Sequence, residues 1–131
     1  MNTKAILFSS AVLLGIAGIL LLFAPAEILA ACGFVPDNIP QVYLQITGSL
    51  YFAFAMLNWM MKGSVVGGIY NKPLTVANFA HFSIGALAMV KMLYRHPGLP
   101  FLFWAAALGY VFYAVAFGLL FNRHPENKKP N

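Results

Sequence analysis

Residues Ile28-Leu29-Ala30-Ala31-Cys32 (ILAAC) can be read in two ways, and the choice decides the fold. An aliphatic residue, two small residues and a cysteine make a lipoprotein cleavage box, at which everything before Cys32 would be removed. Otherwise the apolar run ahead of it, residues 5–24, stays as the first of several membrane-spanning helices. A signal peptide has a charged start, an apolar region of roughly 7–15 residues and a cleavage site close behind. Lys4 supplies the charge, but the apolar run reaches about 20 residues, the length of a span. Pro25 and Glu27 then stand between that run and the box, and an acidic residue there fits a cleavage site poorly. An uncleaved helix is therefore expected. PAEILAACGF (25–34) becomes a short interfacial helix, about 25–33, opened by Pro25 and ended by Gly33. Cys32 is the only cysteine, so no internal disulfide can form.

Composition extends this outward to the whole chain. Of 131 residues, 61% are hydrophobic and 8% are charged, against roughly 25% charged in a soluble domain. So few charges cannot coat a surface that faces water. Four apolar segments, 5–24, 41–61, 74–94 and 99–121, are each about as long as a ~30 Å hydrocarbon core requires at ~1.5 Å per residue. The expected fold is all-α: an integral membrane four-helix bundle over residues 1–121, then a polar basic tail, 122–131. The net charge of +5 comes without a basic stripe along any helix, so nucleic acid is not an expected partner. Membrane lipids are, and a homo-oligomer or larger membrane complex stays open.

The basic residues instead flank the apolar runs. Lys4, Lys62, Lys72, Arg123, Lys128 and Lys129 lie on one side of a four-span topology, with only Lys91 and Arg95 on the other. The positive-inside rule then puts both termini in the cytoplasm of a bacterial inner membrane. Small residues mark packing faces: Ala11, Gly15 and Gly18 in the first span, and Ala105, Gly109 and Ala116 in the fourth. GSLYFAFA (48–55) and GYVFYAVA (109–116) echo each other, as a two-plus-two repeat or by chance in a chain rich in Ala, Phe and Tyr.

Polarity concentrates in the middle spans. At ~100° per residue, Thr47, Tyr51, Asn58 and Lys62 lie within about 60° of one another. Gly48, Gln41 and Gln45 widen that arc, and Ile46, Leu50, Met56, Leu57 and Met60 oppose it as a lipid-facing arc. Asn78, His81, Gly85, Ala88 and Met92 share a face of the third span. Polar side chains in hydrocarbon turn inward, so Tyr51, Asn58, Lys62, Asn78 and His81, with Tyr70 in the connecting loop, form the candidate site. Two readings stay open: hydrogen-bonded glue between helices, or a cytoplasm-facing cavity for an anionic headgroup, a carbonyl or water.

Chemistry is otherwise sparse. Glu27, Asp37 and Glu126 all lie outside the spans, which removes paired-acid catalysis. His81 is the only histidine within a span, so one chain cannot supply two haem ligands. Met56 with Met60, and Met89 with Met92, have spacings that suit Cu(I) and equally suit apolar filling. No metal or cofactor is expected.

LLGIAGILLLFAP (13–25), followed by a short helix and three further spans, resembles the small four-helix bacterial membrane proteins loosely called DoxX-like. The resemblance covers the chain in topology and assigns no residue a role. It implies the four-helix fold and an association with quinone-coupled oxidoreductase complexes or membrane redox assemblies. The expected function is that of a non-enzymatic structural or accessory protein, binding lipid or a partner. The alternative is an oligomeric channel or transporter for a small polar or anionic solute.

Overall fold

The computed structural model describes residues 2–63 and 72–122, and every regular element among them is an α-helix. Each helix starts and stops for a local reason. Helix α1 (Thr3–Phe23) is capped by Asn2, whose side-chain oxygen accepts the Lys4 N–H at 3.1 Å. It ends at Ala24, because the following Pro25 disfavours a helical conformation there (φ −129°, ψ 44°). Pro25 lacks an N–H and suits the first position of a new helix, α2 (Pro25–Ala31). Gly33, at φ 79°, reverses the chain after α2. Its N–H donates to the Ala30 carbonyl at 3.0 Å and that of Phe34 to Leu29 at 2.9 Å, which satisfies the free end of the helix. The would-be cleavage box is thus the last turn of α2 and its cap.

Helix α3 (Asn38–Met61) begins three residues before the expected 41. Asp37 caps it by accepting the Asn38 N–H at 2.7 Å, and Pro40 is tolerated because the first turn needs no internal donors. Helix α4 (Lys72–Arg95) and helix α5 (Phe101–Phe121) are joined by His96–Pro100. Pro100, with ψ 148°, delays α5 by two residues from the expected 99.

Two compact units result, Asn2–Lys62 and the chain from Gly63 onward. In the first, α1 packs antiparallel on α3, with α2 against both. The expected small-residue stripe of α1 makes this contact. A Cβ on Gly18 would lie 2.8 Å from the Phe52 backbone nitrogen, and one on Gly48 would lie 2.8 Å from the Gly18 carbonyl oxygen. Ala55 lies in ordinary contact range of Gly15. The two backbones touch, as only glycine on both sides permits. Helix α3 otherwise presents the arcs expected of it: Gly48, Ala55 and Asn58 are buried, while Ile46, Leu50, Met56, Leu57 and Met60 are exposed.

In the second unit α4 packs on α5 by a different means. Phe82 and Phe117 are fully buried and stack at 5.7 Å, with Tyr113 4.9 Å and Tyr110 5.3 Å from Phe82. Each aromatic pair adds about 0.5–1.5 kcal/mol beyond its buried area. The expected stripe on α5 takes only a small part in this contact. Ala105 is exposed and a Cβ on Gly109 would meet no described atom within 4 Å; only Ala116 is buried. The residues of α5 buried with α4 are Ala107, Tyr110, Tyr113, Ala116, Phe117 and Leu120, an arc centred to one side of Ala105 and Gly109.

Helices α1, α4 and α5 are long and apolar enough to cross a membrane. Helix α3 has the length, at 24 residues, but Gln41, Gln45 and Asn58 lower its hydropathy.

Substitution at the two glycine positions should separate contact from propensity. Gly18→Ala is expected to lose about 1–3 kcal/mol by overpacking, whereas Gly109→Ala gains up to about 1 kcal/mol from helix propensity. Unfolding of both variants in mixed detergent micelles checks this; equal effects would contradict the contact.

Candidate functional site

In the first unit the polar face of α3 turns toward α1. Asn58 is fully buried, and its side-chain amide donates to the Ser10 hydroxyl oxygen at 3.1 Å. Ser10, also fully buried, passes its own proton toward the Leu7 carbonyl at 3.0 Å. A polar relay therefore runs from α3 into the α1 backbone. Ser10 was not among the expected residues, though it belongs to the buried face of α1 with Leu7, Ala11, Leu14 and Gly18. That periodicity was the available signal.

One turn further along, Lys62 is half-buried. Its ammonium sits 3.0 Å from the Trp59 ring centroid and 5.6 Å from that of Phe8. Phe8 and Trp59 are themselves paired at 5.4 Å. A cation over an aromatic face gains about 0.5–1 kcal/mol when exposed and more when desolvated. Tyr51 is half-buried on the same side of α3.

Three further polar side chains of α3 donate to carbonyls. Gln45 donates to Leu22 of α1 at 3.4 Å, Thr47 to Tyr43 at 2.8 Å and Ser49 to Ile46 at 2.7 Å. Such back-bonding satisfies a hydroxyl without a partner helix.

In the second unit Asn78 is fully buried and its amide donates to Leu74 of its own helix at 3.0 Å. His81 is half-buried at the edge of the α4–α5 contact. Its Nε2 and the Tyr110 hydroxyl share a hydrogen bond at 3.3 Å, whose direction follows the imidazole tautomer. The Tyr110 ring occupies the space where a Gly85 side chain would go. Of the face expected on α4, Gly85 is thus filled from α5, Met92 is half-buried and Ala88 is exposed.

The expected site residues fall in both units. Tyr51, Asn58 and Lys62 belong to the first unit, and Asn78 and His81 to the second. Tyr70 lies outside the described residues. Within each unit the arrangement is one of hydrogen bonds and ring contacts, suited to holding two helices in register. No three His, Cys, Asp or Glu side chains gather among the described residues. Comparison with protein families, with curated proteins and with solved structures found no match.

The Asn58–Ser10 bond is open to a double-mutant cycle. Asn58→Ala and Ser10→Ala are expected to show a coupling of about 0.6 kcal/mol, the average between membrane helices, and at most about 1.7 kcal/mol. Additive losses would mean that the bond contributes nothing.

Proposed function

We propose that the chain is a small polytopic protein of the bacterial inner membrane, with α1, α3, α4 and α5 as four bundled spans. Helix α2 lies in the interface and both termini are cytoplasmic. The DoxX-like layout belongs to this proposal. The protein acts without chemistry of its own, as a structural or accessory component that packs with lipid or a partner protein.

One observation carries the inclusion of α3, the one of the four whose apolar stretch falls short of the other three. Its residues Gln45, Thr47, Ser49 and Asn58 all donate to a carbonyl or to Ser10 within the first unit. A helix whose polar groups have such partners enters hydrocarbon at far lower cost than its composition suggests. The broad apolar exposure of Ile46, Leu50, Met56 and Met60 on its other side fits a lipid-facing surface. Orientation rests on the six-to-two division of basic residues.

The same observation favours glue over a solute path for the polar arc. Asn58 is bonded to Ser10 and Lys62 lies over the Phe8 ring of α1 as well as Trp59, so both serve the α1–α3 contact. The rival channel would need a second copy to line a pore. A stable monomer in detergent speaks against it; a stable oligomer with solute flux, lost on changing Asn58 or His81, overturns the structural reading.

Topology is tested with single cysteines in a Cys32→Ser background. A Cβ at Gly63 or Gly98 meets no described atom within 4 Å, so Gly63→Cys and Gly98→Cys should both fold. An impermeant maleimide is expected to label the Gly98 variant in spheroplasts and the Gly63 variant only after lysis. The reverse pattern would contradict the orientation.

A further inference from the structure

We propose that the groove at the loop end of the α4–α5 hairpin holds one acyl chain of an anionic phospholipid, with Lys91 and Arg95 at its headgroup. The groove encloses about 280 Å³ and lies between the last turns of α4 and the first turns of α5. Val90, Leu93, Tyr94, Trp104 and Leu108 line it, and Tyr94 and Leu108 are among the most exposed apolar side chains of the unit. The wall is apolar, apart from the Tyr94 hydroxyl and the Trp104 ring nitrogen. Those two residue types favour the depth of the lipid headgroups, ring in hydrocarbon and polar tip in water.

Charge selects the occupant. Lys91 follows Val90 and Arg95 follows Tyr94, so two exposed cations stand one turn apart beside the lining residues of α4. From Gly63 to Asn122 the chain holds no Asp or Glu to neutralise them. An apolar slot with a positive rim at a helix end matches a lipid that has an apolar tail and a phosphate without a compensating amine. A zwitterionic lipid fits the slot and gains less at the rim. A guanidinium also meets two phosphate oxygens at once, which an ammonium cannot.

This inference rests on the membrane reading above, and one experiment separates the two. The chain has two tryptophans, so Trp59→Phe leaves Trp104 as the sole emitter and keeps a ring beneath Lys62. The variant is reconstituted in vesicles containing either phosphatidylglycerol or phosphatidylcholine with brominated acyl chains, and quenching is followed against mole fraction. Brominated phosphatidylglycerol is expected to quench Trp104 at a mole fraction lower by roughly five-fold or more, the gain of a basic residue near an anionic surface. With Lys91→Gln and Arg95→Gln added, the two lipids should become equivalent. Equal quenching in the parent overturns the headgroup preference, and a preference surviving the double change overturns the role of the two cations. Trp104 insensitive to both lipids, in protein that floats with the vesicles, overturns the groove as a lipid site. Protein that fails to float with either vesicle overturns the membrane reading itself.

Discussion

The first hairpin depends on the contact between the backbones of α1 and α3 at Gly18 and Gly48. Once the two chains touch there, the antiparallel register is fixed and every other contact follows from it. Toward the loop, Gln45 reaches the Leu22 carbonyl. In the other direction Gly15 meets Ala55, Ser10 meets Asn58, and Phe8 meets Trp59 and Lys62. Apolar surface alone holds helices together poorly in lipid, so close approach and interhelical hydrogen bonds must do so. The glycine pair provides the first and brings Ser10 and Asn58 close enough for the second. A side chain at either glycine would part the helices and pull the Asn58 amide away from the Ser10 hydroxyl.

The second hairpin reaches the same end with large residues. Phe82, Tyr110, Tyr113 and Phe117 interlock, and Gly85 provides room for one ring, not for a backbone. The echo between residues 48–55 and 109–116 is therefore uneven. Ala55 and Ala116 are both buried, but Gly48 lies against a backbone while Gly109 meets no described atom. Similar letters serve different packing, which favours chance over a structural repeat in their glycines.

What the sequence disclosed was set by size and period. Span length, the Pro25 and Gly33 boundaries of the short helix, the α1 stripe and the two arcs of α3 were all legible, because each depends on local spacing. Boundaries slipped where a cap outweighed hydropathy, as at Asp37 and Pro100. The α5 stripe lies beside the arc that meets α4, which centres on Tyr113, Phe117 and Leu120, so of its three residues only Ala116 joins that contact. Ser10 stayed hidden as one of two adjacent hydroxyls in an apolar run, where a buried amide on another helix is needed to tell it from Ser9. Lys62 was expected on the inward polar arc, yet Trp59 three residues earlier lies within its reach, and that spacing could have revealed the pair.

The central claim is that α3 crosses the bilayer as a fourth span because α1 and its own carbonyls satisfy its polar side chains. Amide hydrogen exchange in lipid nanodiscs tests this directly. The account predicts that amides in the middle of α3 exchange as slowly as those in the middle of α1, α4 and α5. Fast exchange along α3, with the other three protected, would put it at the interface and contradict the four-span fold.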